Sequence, residues 1–148
     1  MPRVPDQTAG TPELRLVFGA DPVAIRHSLS RMIACPPLSG LGAEARAMAE
    51  LVLAESLNNV AEHAYDEAGG TVEVTLRQDA GGVFCQIVDS GRSMPNGRLP
   101  EGKLPTGSAH LQDLPEGGFG WHLIRSLCAD LTYVRSEGRN LLSFVIPG

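Results

Sequence analysis

Three short stretches hold the side chains that could do chemistry. In ESLNNVAEHAY, Glu55, Asn59 and His63 recur every four residues, so an α-helix would stack them as one ridge. The side-chain oxygen of Asn59 is a neutral, hard donor suited to a Mg²⁺ ion that carries phosphate oxygens. One turn earlier, the Glu55 carboxylate could take a proton from an attacking hydroxyl or water. The solvated edge of an amphipathic helix can carry the same pattern, and this stretch alone does not separate the two readings.

The second stretch is VDSGR, where an apolar strand ends in Asp89 and a Ser-Gly turn. A carboxylate there can accept a hydrogen bond from an exocyclic amine such as that of adenine, a charge-assisted contact of about 1.5–3 kcal/mol. Gly91 would let a flat ring come close to the backbone, although an Asx turn closing a hairpin reads the same way. The third stretch, PEGGFGWHLI, sets Gly117, Gly118 and Gly120 at the entrance of a helix. Backbone N–H groups favour anions at such an end, and glycines admit phosphate. A flexible hinge accounts for the glycines equally well.

The elements that would position these residues follow from periodicity. Residues 1–12 read as a loose tail, and ELRLVF (13–18) alternates as a first strand. Asp21 before Pro22 is an N-cap and first-turn proline, predicting a helix over 22–34. CPPLSGLG breaks it, and a second helix is expected over 43–64, with Ala45, Ala49, Leu53, Leu57, Val60 and Ala64 as its apolar stripe. Met48 and Val52 point into the sector of the ridge, which gives that flank the mixed character of a pocket wall.

TVEVTLRQ and VFCQIVD form a hairpin about DAGG, with Val72, Val74 and Leu76 on one face. A glycine- and proline-rich run follows, a length of loop that inside a domain is commonly a lid. A helix over 121–129, with Leu123, Ile124 and Leu127 inward, and a closing hairpin over 131–147 complete the chain.

Composition narrows the class. The chain has 148 residues, 43% of them hydrophobic, enough for one core. A formal net charge of -5 with no basic run argues against direct nucleic-acid binding. Cys35, Cys85 and Cys128 are odd in number and set among apolar residues, as expected of reduced thiols in a cytoplasmic protein rather than a disulfide framework. No apolar run reaches membrane-spanning length, so no membrane association is expected.

Taken in order, E-x-x-x-N on a helix, D-x-G after a strand, a glycine-rich loop and GGxG opening a helix resemble the GHKL ATPase superfamily, which includes gyrase and the histidine kinases. The similarity runs from about Leu14 to the C-terminus. It implies an α+β fold of Bergerat type: a two-layer α/β sandwich whose mostly antiparallel mixed sheet carries helices on one face, with an ATP lid at about 92–116. Residues 13–148 would form the single ATP-binding domain. Within the superfamily the chain is most similar to stand-alone bacterial anti-sigma factors that are serine kinases. Their E-A-x-x-N-A-x-x-H-x-Y pattern is matched by ESLNNVAEHAY, and the acidic residue before their second glycine box by Glu116.

That resemblance implies ATP and Mg²⁺ as cofactors, Glu55 as catalytic base, Asn59 as the Mg²⁺ ligand and Asp89 as the reader of adenine. Gly91, Gly117, Gly118, Phe119 and Gly120 would line the nucleotide, and His63 would support the site. Two positions depart from the pattern: Ser93 stands where a second glycine is usual in the first box, and Trp121 replaces an aliphatic residue and is expected in the core. The implied activity is phosphorylation of a serine on a STAS-type antagonist, in a partner-switching system that also holds a sigma factor. Arg26 and Arg31 on the first helix resemble a surface used for dimer or partner contacts. The alternatives are a nucleotide-gated binding module without transfer and a detached histidine-kinase-like catalytic domain.

Overall fold

In the computed structural model the described residues are 12–100 and 118–148. The N-terminal tail up to residue 11 and the greater part of the expected lid lie outside them. Strand β1 (Glu13–Gly19) leads into α1 (Pro22–Ala34). The carboxylate of Asp21 accepts the Ala24 N–H at 2.9 Å, and Pro22 occupies the first turn, where its missing N–H costs nothing. After a short 3₁₀ turn comes α2 (Ala43–Asn59), then the hairpin of β2 (Thr71–Asp79) and β3 (Gly82–Asp89), α3 (Gly118–Leu127), and the hairpin of β4 (Ala129–Ser136) and β5 (Arg139–Pro147).

The five strands form one sheet in the order β1-β2-β3-β5-β4. All four pairings among the described residues are antiparallel, so the sheet expected to be mixed shows no parallel pair there. The physical reason is connectivity: three of the pairings join strands consecutive in the chain, and β5 returns from β4 to lie against β3. One face of the sheet is buried. Val72, Val74, Leu76, Val83, Cys85, Ile87, Phe144 and Ile146 are each 0–1% exposed, as period-two alternation dictates. The opposite face carries Glu73 paired with Arg15 at 2.6 Å and the Arg77 guanidinium 4.7 Å from the Phe84 ring centroid.

The helices cover the buried face, with α2 between α1 and α3. Because α2 is flanked on both sides, its buried arc is wider than the expected stripe. Ala49, Leu53 and Leu57 are joined by Val52, Ser56 and Asn59. Ser56 makes its burial tolerable by donating to the Val52 carbonyl at 2.7 Å.

Two expectations for the helices shift in detail. The segment expected to finish α2 as α-helix, Val60–Ala64, is a π turn. Helix α3 begins three residues earlier than expected and ends at Leu127, because Ala129 already belongs to β4. Gly118, Phe119 and Gly120 are therefore its first turn rather than its approach. Glycine's weak helix propensity matters least there, where the N–H groups have no partner within the helix in any case.

The three cysteines are free thiols. Burial pushes the Cys85 thiol strongly upward, and the nearby Cys128 adds to that. Burial also raises Cys128 to about 11, with Arg125 pulling in the other direction. Among the described residues no helix is long and apolar enough to cross a membrane.

Candidate active site

The end of the sheet that carries Asp89 opens into a cavity of about 540 Å³, within the range of small-molecule sites. Ile87, Asp89, Tyr133, Asn140 and Leu142 form its sheet wall, Ser56 and Asn59 of α2 with Val60 of the turn after it a second wall, and Trp121 its α3 wall. The backbone that follows β3 closes it with Arg92, Ser93, Met94 and Pro95. The walls are largely apolar, with a few polar groups converging on the interior.

Asp89 is 7% exposed. Its Oδ1 accepts the Gly91 N–H and the Asn140 side-chain N–H, each at 2.8 Å. No hydrogen bond among the described residues uses Oδ2, which is left as an acceptor at the cavity wall. Asn59 is 8% exposed, and its Nδ2 is buried without a hydrogen-bond partner among the described residues. An orphaned buried amide is costly, by about 1–3 kcal/mol, and is a feature native interiors avoid unless a ligand or water completes it. The Asn59 side chain thus fits a polar ligand entering this cavity. Among the described residues no three His, Cys, Asp or Glu side chains cluster. A metal held here would take Asn59 and ligand oxygens rather than a protein cage, which is the habit of Mg²⁺.

The ridge read from the sequence is split by the π turn. Along an α-helix each four-residue step drifts forward by about 40°. That drift would carry His63 from Asn59 into the buried arc of Val52 and Ser56. A π turn winds more residues into each turn and reverses the drift. His63 accordingly stands at the rim with its side chain 61% exposed, 3.6 Å from Glu62. It still lines the cavity.

Glu55 is half-buried and is not among the cavity-lining residues. It faces the first turn of α3, where a Cβ on Gly120 would lie 2.5 Å from its Oε1. Gly120 therefore gives the carboxylate room beside a helix N-terminus, where negative charge is favoured. Gly118 and Phe119 lie in the same first turn, and Gly117 lies outside the described residues. Trp121 is 3% exposed, in the core as expected, and also forms part of the cavity wall.

Gly91 also has a structural use within the fold. A Cβ there would come within 2.2 Å of the Ala64 carbonyl oxygen. The glycine lets the turn after β3 press against the end of the π turn, where Arg92 N–H donates to that same oxygen at 2.8 Å.

Several residues of this corner were missed in the sequence. The Tyr65 hydroxyl donates to the Thr71 carbonyl and accepts the Ser90 N–H, both at 2.7 Å. Arg135 donates to the Gly91 carbonyl at 2.6 Å, and the Tyr133 hydroxyl accepts the Met94 N–H at 3.0 Å. Asn140 lies at the centre. One signal was available for it: Asn140 shares the period-two phase of Leu142, Phe144 and Ile146, so it is a polar residue at a core position.

A family model described as the histidine kinase-like ATPase domain matches residues 18–146. The chain belongs to this family. Its sandwich, in which a five-stranded sheet carries three helices on one face, is the GHKL type. The family member is also similar to curated proteins named serine-protein kinase RsbW. It is 27% identical over 94 residues to those of Bacillus thuringiensis (strain Al Hakam) and Bacillus cereus (strain 03BB102). The same identity and span hold for Bacillus anthracis (strain CDC 684 / NRRL 3495). In each case the match takes in 63% of this chain and 59% of the relative, so the chain spans about three fifths of the curated relatives it matches.

Proposed function

We propose that the protein is an ATP-dependent serine/threonine kinase of the anti-sigma type, acting on a STAS-type antagonist in a partner-switching system that holds a sigma factor. The observation that carries the reading is the pairing of Asp89 Oδ2 and the unpartnered Asn59 amide on opposite walls of one cavity. An acceptor-only oxygen fits the exocyclic amine of adenine, and the unpartnered Asn59 N–H fits a phosphate oxygen of the same nucleotide, with the side-chain oxygen as the ligand that would meet Mg²⁺. Residues 13–148 would act as the single ATP-binding domain.

Each site residue has a role in this reading. Asp89 would select the base, Asn59 would hold Mg²⁺, and Gly118, Phe119 and Gly120 in the first turn of α3 would take the phosphate side, a role also proposed for Gly117. Bound Mg²⁺ would offset charge on the transferring phosphoryl group. Glu55 would accept the proton of the attacking serine hydroxyl, and His63 stands at the rim as a supporting group. Asn59→Ala should abolish Mg²⁺-dependent ATP binding. Glu55→Gln should spare binding and remove transfer of labelled phosphate to a STAS-domain substrate; unchanged transfer by that variant would sink the kinase mechanism.

The position of Glu55 favours a second reading. Its carboxylate lies against Gly120, outside the cavity lining. A chain that keeps this arrangement with nucleotide bound would be a nucleotide-gated binding module without transfer. ATP-dependent capture of a partner without labelled product would select that reading.

A further inference from the structure

Asp89 and Asn140 face each other directly in the β3–β5 register, at the end of a row that begins with Phe18 and Val72 and continues to Arg135. Asn140 is 6% exposed, and every hydrogen-bonding capacity of its amide is met. Its Nδ2 donates to Asp89 Oδ1 at 2.8 Å and to the Arg92 carbonyl at 2.9 Å. Its Oδ1 accepts from Arg135 Nη1 at 3.0 Å and from the Tyr133 hydroxyl. The amide can sit only this way round. A guanidinium only donates, and a carbonyl only accepts, so the flipped amide would oppose like groups on both sides.

We propose that Asn140 is the positioning residue that makes Asp89 selective for purine nucleotides bearing a 6-amino group over those bearing a 6-oxo group. The inference rests on the ATP site proposed above and deepens it. Asn140 and the Gly91 N–H together occupy Asp89 Oδ1, which fixes the carboxylate plane and leaves Oδ2 toward the cavity. A fixed acceptor rewards an amine and is repelled by a carbonyl oxygen, the basis of strong discrimination by a built polar site. Asn140 also ties Asp89 to the closing backbone through the Arg92 carbonyl, while Arg135 and Tyr133 hold Gly91 and Met94. Without the amide, only the Gly91 N–H remains on Oδ1, and the carboxylate is free to turn. A hydroxyl side chain offers a single donor, so it cannot serve Asp89 and Arg92 together.

The test measures binding of Mg·ATP and of Mg·inosine triphosphate to the full chain, in the wild type and in Asn140→Ala and Asn140→Asp, at alkaline and mildly acidic pH. The wild type should prefer ATP. Asn140→Ala should lose about tenfold or more in ATP affinity, the worth of one charge-assisted hydrogen bond, with little change for inosine triphosphate. Asn140→Asp sets a second carboxylate beside Asp89, flanked by Tyr133 and Arg135 of β4 and the Arg92 carbonyl. Two such groups share one proton.

ATP binding by Asn140→Asp should therefore be weak at alkaline pH and recover severalfold on acidification, as the introduced carboxyl becomes a donor to Asp89. Asn140→Ala should show no such recovery. A wild-type ATP preference retained in Asn140→Ala overturns the inference. So do an equal loss for both nucleotides and a flat pH profile in Asn140→Asp. A wild type that binds both nucleotides equally overturns the selectivity while leaving a nucleotide site in place. A wild type that binds neither overturns the ATP reading, and the inference falls with it.

Discussion

The two polar walls of the cavity are built on opposite terms. On the sheet side, Asp89, Asn140, Tyr133, Arg135 and the backbone of 90–94 answer one another, and Asn140 has no unused donor or acceptor. On the helix side, Asn59 keeps a buried N–H without a partner among the described residues, and Glu55 rests against a glycine outside the cavity. The first wall is held together as folded, with Asp89 Oδ2 left over among the described residues; in the proposed reading the second would acquire its partners from a ligand. A base-reading corner gains from rigidity, since a fixed acceptor discriminates by position. If the helix side takes phosphate and metal as proposed, it would have to change its contacts during transfer, and completing it inside the protein would oppose that. In that reading the sheet side would store selectivity, while the helix side holds the unsatisfied polarity of Asn59.

The contrast can be broken by substitution, beginning with the tightest contact. Gly91→Ala forces a Cβ onto the Ala64 carbonyl, a backbone atom that cannot swing aside. It should cost about 3 kcal/mol of unfolding free energy in urea, as overpacking does. A loss under about 1 kcal/mol would mean that the turn after β3 is not locked to the π turn.

Tyr133→Phe is next. It leaves Met94 N–H and Asn140 Oδ1 each short of one partner, so it should cost about 1–2 kcal/mol in the same assay. Asn59→Ala should behave oppositely and change the stability of the ligand-free protein by less than about 1 kcal/mol, because the amide it removes makes no hydrogen bond through Nδ2. Were Asn59→Ala as destabilising as Tyr133→Phe, the two walls would not differ in kind.

The smallest effect belongs to His63→Ala. An exposed side chain at the rim should shift stability by no more than about 0.5 kcal/mol. A larger loss would restore His63 to the buried ridge that an unbroken α-helix would make.

Much of the scaffold was legible before any coordinates, and for local reasons. The Asp21-Pro22 pair announced the start of α1, and alternation assigned Val72, Val74 and Leu76 to the core face. Asp89 falls in the same phase as Val83, Cys85 and Ile87, so its burial could be read from the strand itself. The π turn could not be read, because Val60–Ala64 has the composition of an ordinary helix end. Its pitch is fixed by what the turn must meet: the Ala64 carbonyl takes the Arg92 N–H, a residue 28 positions further on.

The sequence by itself determined the elements, the face each strand buries and the motifs that place the chain among histidine kinase-like ATPases, because these depend on residue type and spacing within a few turns. Only the tertiary structure decided which motif residues share a wall. It put Asn59 and Asp89 on one cavity, left His63 at the rim and turned Glu55 toward Gly120. It also brought Asn140 into the site from the last strand, 51 residues beyond the carboxylate it holds. The reason is physical: a hydrogen-bond network is set by register across a sheet, and register joins residues that no local pattern connects.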